Sequence, residues 1–311
     1  MLLFLVCAIG TLTPPSPAQA WDDFGHRIIA RIAWERLSDE ARERAIALLA
    51  QAPEEAHVTA AAAPVRWFPN RELFVAASVW ADDIKAGSPY NQPTWHFVNL
   101  SWETLANGKT RDRADRVLPR EHLLERLAVL SDLLADPARP ESERALDLAW
   151  LIHLVGDVHQ PLHVSNRLTA SEPEGDRGGN LFPLHTPPDA LQPMPLHAWW
   201  DRLLSFRFPR RQGETERERV ERAADGITRR HSFPELRSRL AAGDFWGWGK
   251  ESLALAQTVV YAPPLERGWA PPEAYFDRSW RAIEPAIALA GYRLAELLER
   301  RLRVTPTPPA E

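Results

Sequence analysis

The chain has 311 residues with 37 basic and 42 acidic side chains, a formal net charge of −5, which argues against a histone-like or polybasic protein. Hydrophobic residues at 45% and charged residues at 25% exclude a disordered chain and allow a sizeable core. A single cysteine, Cys7, excludes both a disulfide framework and a cysteine-based zinc site.

The first 20 residues carry no charged side chain, run apolar from Leu2 to about Leu12, and end in Ala18-Gln19-Ala20. This reads as a signal peptide, because the apolar stretch is too short for an anchor and a small-x-small cleavage site follows it. Cleavage after Ala20 gives an exported chain, periplasmic or secreted, that starts at Trp21, contains no cysteine and is not inserted in a membrane. Downstream the apolar periods are helical almost throughout. Ile28, Ile29, Ile32, Ala33 and Leu37 form one stripe, and Ser38 caps a second helix running to about Ala50. Similar patterns cover 71–86, 119–135, 141–160, 196–206, 214–230 and 244–261. A last helix from about Pro272 to Leu302 contains Pro285, which is expected to kink or split it. Strand alternation is nearly absent; the stretches Trp95–Leu100 and Leu181–Leu184 suit short extended segments. With no repeat and no linker, the simplest organisation is one all-α domain over 21–304 and a disordered tail over 305–311.

Chemistry concentrates in His153-Leu-Val-Gly-Asp157-Val-His-Gln-Pro-Leu-His163. On a helix, His153 and Asp157 are one turn apart and project from the same face, so they can hold one cation. The segment is otherwise apolar, and a carboxylate buried there costs several kcal/mol unless it is paired or metal-bound. Pro161 ends this helix and turns His163 onto another path. The i, i+4 pair recurs at His197 and Asp201, just after Pro195. Asp82 in Trp80-Ala-Asp82-Asp83-Ile-Lys85, His96 beside Phe97, and His26 in Trp21-Asp-Asp-Phe-Gly-His26 complete five His and three Asp. A nitrogen and oxygen donor set without sulfur suits zinc better than an iron–sulfur cluster or calcium.

In this order, the motifs WxxxGH, WAD, HF, HxxGDxHQPLH, GGN and HxxWD resemble the zinc-dependent, single-strand-specific nucleases of type I, the S-one/P-one nuclease family. That family shares its fold with a bacterial zinc phospholipase C. The resemblance runs from Trp21 to Asp201, with the remainder matching as helical scaffold. It implies a single-domain multi-helix bundle with three zinc ions. The first would be held by Asp82, His96, His153 and Asp157, and the second by His163, His197 and Asp201. The third would take Asp157, His26 and the α-amino nitrogen and carbonyl oxygen of Trp21, so removal of the leader would create a ligand.

The implied reaction is hydrolysis of P–O3′ bonds in single-stranded DNA and RNA, and of 3′-nucleotides, leaving 5′-phosphorylated products, with no stable protein partner. Asp82 would orient the attacking water and Lys85 would face the phosphate. Phe97 would stack a nucleobase, a contact worth about 1–3 kcal/mol. Asn99 stands where fungal members carry Asp, and Asn180 in the GGN loop would orient backbone or substrate. His159 and Gln160 are expected to orient ligands, and His57, His122, His185 and His231 to be surface or structural. The runs Arg111, Arg113, Arg116 and Arg210, Arg211 read as solvated loops rather than basic patches. The rival reading is a zinc phospholipase C using the same site on a lipid phosphodiester; against it, Asp201 stands where the phospholipase has Glu.

Overall fold

The computed structural model of the protein describes residues 21–58, 60, 69–186 and 192–303. The expected leader and the expected disordered tail lie outside the described residues.

Among the described residues the first eight helices are α1 (Asp23–Arg36), α2 (Asp39–Leu49), α3 (Pro69–Ala77), α4 (Trp80–Asp83), α5 (Leu123–Ala135), α6 (Glu141–Val158), α7 (Leu196–Asp201) and α8 (Leu203–Arg207). They are followed by α9 (Glu216–Arg230), α10 (Phe233–Leu236), α11 (Phe245–Leu255) and α12 (Glu273–Arg301). Local chemistry sets their starts. Asp22 accepts from the Gly25 amide at 3.1 Å to open α1, and Ser38 accepts from Ala41 at 3.2 Å to open α2. A Thr215–Glu218 capping box opens α9.

Helix α6 is the axis of the fold. Every residue from Leu148 to Val158 is buried, which is the mark of a helix enclosed on all sides. Helices α1, α2, α5 and α12 pack around it, and α1 also packs along α12. Close approach of α1 and α12 depends on Gly291, where a Cβ would lie 2.5 Å from Ile32 Cγ2. No helix among the described residues is long and apolar enough to cross a membrane.

Four sequence expectations are corrected. Pro285 does not split the last helix: α12 is continuous through it, held on both sides by buried Trp280, Ile283, Ile287 and Ala288, so packing outweighs the local cost of proline. The single helix expected over 71–86 breaks at Ser78–Val79, and that over 196–206 breaks at Arg202. In the stretch Trp95–Leu100, Trp95 and His96 lie in a turn, Phe97, Val98 and Asn99 are irregular, and the strand begins only at Leu100.

Strands are few but they place the site. Strand β1 (Leu100–Thr104) pairs with β2 (Thr110–Asp112) on one side and, in parallel, with β3 (Ser165–Leu168) on the other. Pairing extends upstream through Val98 N to His163 O at 2.8 Å, so His96 and His163 end side by side. The hairpin of β4 (Pro183–Leu184) and β5 (Met194–Pro195), with Leu196 N donating to Phe182 O at 2.8 Å, sets the start of α7 against the glycine loop at 178–179.

Candidate metal centre

Four side chains meet on one face of α6. The break after α3 leaves the Ser78 carbonyl open, and it accepts from His153 Nδ1 at 2.8 Å, which turns Nε2 inward. There His153 Nε2 lies 3.3 Å from Asp157 Oδ2, 3.6 Å from Asp82 Oδ1 and 3.1 Å from His96 Nδ1. His96 Nδ1 lies 3.1 Å from Asp157 Oδ2 and 3.6 Å from Asp82 Oδ1. Tetrahedral nitrogen and oxygen ligands around zinc, with bonds of 2.0–2.2 Å, are separated by about 3.3–3.6 Å. The spacing fits.

A second cluster faces it. His163 Nδ1 donates to His96 O at 2.6 Å and His197 Nδ1 to Gly178 O at 2.7 Å. Their two Nε2 atoms are thereby aimed at each other, 3.1 Å apart, an arrangement of facing lone pairs that a cation reconciles. Asp201 Oδ2 is 3.8 Å from His197 Nε2, and Gln160 Nε2 donates to Asp201 Oδ1 at 2.7 Å.

The third grouping surrounds His26, which stacks on His153 with centroids 4.0 Å apart. His26 Nε2 is 3.4 Å from Asp157 Oδ1. Both His26 ring nitrogens and Asp157 Oδ1 are buried without a hydrogen-bond partner, an unusual cost for native groups and one that a shared cation would remove. Distances also group His26 with Asp82 and His153; the bare Asp157 Oδ1 is the better partner because His153 Nε2 already faces the first cluster. Trp21 is fully buried, its indole donating to Gly156 O at 3.2 Å, and Asp22 N donates to Asp201 O at 3.0 Å. The segment preceding α1 is thus tied to both ligand helices. Gly156 makes room for His26: a Cβ there would lie 2.7 Å from its Nδ1.

Charge and burial pull against each other here. Burial opposes ionisation of Asp157, but His153 and the hydrogen bonds from His153 and His96 outweigh it and hold the carboxyl well below its usual range. Burial likewise disfavours the charged His153, yet Asp157 and Asp82 raise it to about 9. Burial pushes Asp82 up and Asp201 well up, and pushes His26 well down and His163 down. In the metal-free protein a proton on His153 therefore stands where a cation would. Its raised pKa stabilises the metal-free fold fully below about pH 6.5, and that contribution is lost as pH rises through about 9. Metal uptake at pH 7 should release at least one proton per chain, since a ligating imidazole must be neutral. Calorimetry in buffers of different ionisation enthalpy reads this directly; uptake without proton release would count against the assignment of His153.

The remaining expected residues fall as follows. Lys85 is exposed two residues beyond α4, with no ion pair among the described residues. Phe97 and Asn99 are half-buried beside His96. Asn180 donates to Arg177 O at 2.8 Å, so its amide secures the glycine loop. Gln160 orients Asp201 as expected, but His159 touches no ligand: it faces Arg293, and burial with that positive neighbour lowers it to about 3. Arg111, Arg113, Arg116 and Arg210 are paired with Glu103, Asp115, Glu174 and Glu216. His122 caps α5, and His231 contacts Glu284. Sequence reasoning missed Trp150, whose ring packs edge-on to His96 at 5.3 Å, and the three carbonyls of Ser78, His96 and Gly178 that orient the imidazoles. Only the backbone path reveals those.

Three abutting, buried clusters of imidazole and carboxylate on a helical frame form groups that could each hold a metal ion. The model of the S1/P1 nuclease family matches residues 21–303, and the chain belongs to that family. It is also similar to Endonuclease 2 of Arabidopsis thaliana, 24% identical over 206 residues that make up 64% of this chain and 61% of the relative. The chain thus spans less than two thirds of that relative's length.

Proposed function

We propose that the protein is a zinc-dependent phosphodiesterase that cleaves single-stranded DNA and RNA at P–O3′ bonds, leaves 5′-phosphates and acts on 3′-nucleotides. The observation that carries this reading is the trio of adjacent His/Asp clusters, two of which meet at Asp157, combined with membership of a nuclease family. Zinc at such sites supplies a water acidic enough to attack near neutral pH and stabilises charge on phosphodiester oxygens.

The chain's own groups do the rest. Asp82, on the rim of the first cluster, orients the attacking water by accepting its proton in a hydrogen bond. Lys85, an exposed cation three residues further on, neutralises the scissile phosphate. Phe97 stacks a base, and Asn99 beside it contacts the base edge. Burial of the clusters favours single strands, because a phosphate reaches them only when its nucleotide is unstacked.

The second cluster has three protein side chains, which suits a catalytic site with an open position. Export and cleavage after Ala20 belong to the same reading, supported by the uncharged leader and by the burial of Trp21, whose indole bonds to Gly156 O beside Asp157 in the chain. A methionine placed before Trp21 should therefore weaken the third zinc, measured by metal content after dialysis.

The test is a substrate panel for the mature protein, with and without chelator. Single-stranded DNA, RNA and a 3′-mononucleotide should be cleaved in a zinc-dependent way, and duplex DNA more slowly. Hydrolysis of phosphatidylcholine alone would overturn the proposal in favour of a phospholipase C.

A further inference from the structure

Arg293 lies on α12, far along the chain from every candidate ligand, yet its side chain is fully buried. A buried guanidinium is retained only when its donors are satisfied, and here its hydrogen-bond partners cluster around the end of α6 and the start of α11. Nε donates to Leu240 O at 3.1 Å, and Nη2 to Arg239 O and to Glu251 Oε1, both at 2.8 Å. Trp248 lies beneath the guanidinium at 5.1 Å. Nη1 donates to His159 Nε2 at 2.9 Å.

His159 is the residue on which α6 ends. Its backbone N–H bonds to Gly156 O and that of Gln160 to Asp157 O, so the last turn tightens and the Val155 carbonyl loses its regular helical donor. His159 fills that gap with its own ring, Nδ1 donating to Val155 O at 2.7 Å. With Nδ1 donating, Nε2 is the acceptor that Arg293 needs. Ser252 of α11 donates to Val158 O at 2.6 Å and closes the same turn from another side. The chain leaving this turn carries Gln160, which holds Asp201, and His163, which faces His197.

We infer that Arg293, acting through His159, is a positioning residue for the second metal site: it locks the turn at the end of α6 and so fixes where Gln160 and His163 present their groups. The inference rests on the metal reading above. Partners that orient metal ligands from behind typically account for 10–100-fold in metal affinity or activity.

Four proteins test this: wild type, Arg293→Met, His159→Leu and His159→Gln. The Gln variant keeps an acceptor for Arg293 close to the position of Nε2. Each is titrated with zinc against a competing chelator, its melting temperature is taken with and without zinc, and kcat and KM are measured on a single-stranded oligonucleotide. Arg293→Met and His159→Leu should bind one of the zinc ions at least tenfold more weakly and lose kcat by a similar factor, with KM within about twofold. His159→Gln should recover most of both. Variants that melt lower but keep full zinc affinity and full kcat would overturn the inference, because a merely structural arginine has that signature. If wild type itself takes up no zinc, the metal reading fails, and the inference falls with it.

Discussion

Asp157→Asn should reduce cleavage of single-stranded DNA by roughly 10³-fold or more, since several kcal/mol of charge stabilisation depend on the metals it helps to hold. Its two oxygens face different neighbours: Oδ2 is within 3.3 Å of both His96 Nδ1 and His153 Nε2, and Oδ1 is 3.4 Å from His26 Nε2. One amide therefore disturbs two sites at once. The same change removes the main charge that raises His153 to about 9. The metal-free variant should show a smaller fall in melting temperature between pH 7 and pH 9.5 than the fall expected of wild type. Two readouts, zinc content and the pH dependence of melting in chelator, check the two halves separately. Full zinc content with unchanged rate would remove Asp157 from the centre.

The second large effect comes from the smallest change. Gly156→Ala adds one methyl group within α6, where alanine is intrinsically favoured by about 1 kcal/mol. The methyl would lie 2.7 Å from His26 Nδ1 and 2.8 Å from its Cε1, so the ring must leave its stack on His153. Overpacking of this kind costs about 1–3 kcal/mol, which leaves net stability close to wild type or slightly lower. The count of bound zinc should fall by one, and the rate by roughly 10²-fold, equal to about 2.7 kcal/mol of barrier. A variant that is both more stable and fully active would mean that His26 does not need its present position.

The parts of this site that could be read from sequence share one property: they are local. His153 with Asp157 and His197 with Asp201 are helical i, i+4 pairs, and the apolar periods marked the helices that carry them. Asp82 was visible as a residue, but not the break at Ser78–Val79 that frees the carbonyl holding His153. The closeness of His96 to His163 depends on a parallel pairing of Leu100 with Ser165, which no local pattern announces in strands of four and five residues. Pro285 does not split α12, because the rule for proline in helices is local, whereas the packing that keeps α12 continuous is not. The partner of His159 was out of reach for a related reason: Arg293 is 134 positions away.

The account turns on one measurement: the zinc content and single-strand cleavage of the mature protein before chelation, after it, and after zinc is returned. Three zinc ions per chain, loss of cleavage with their removal and recovery on their return are the expected result. Cleavage that persists in metal-free protein, or protein that takes up no zinc at all, would contradict it.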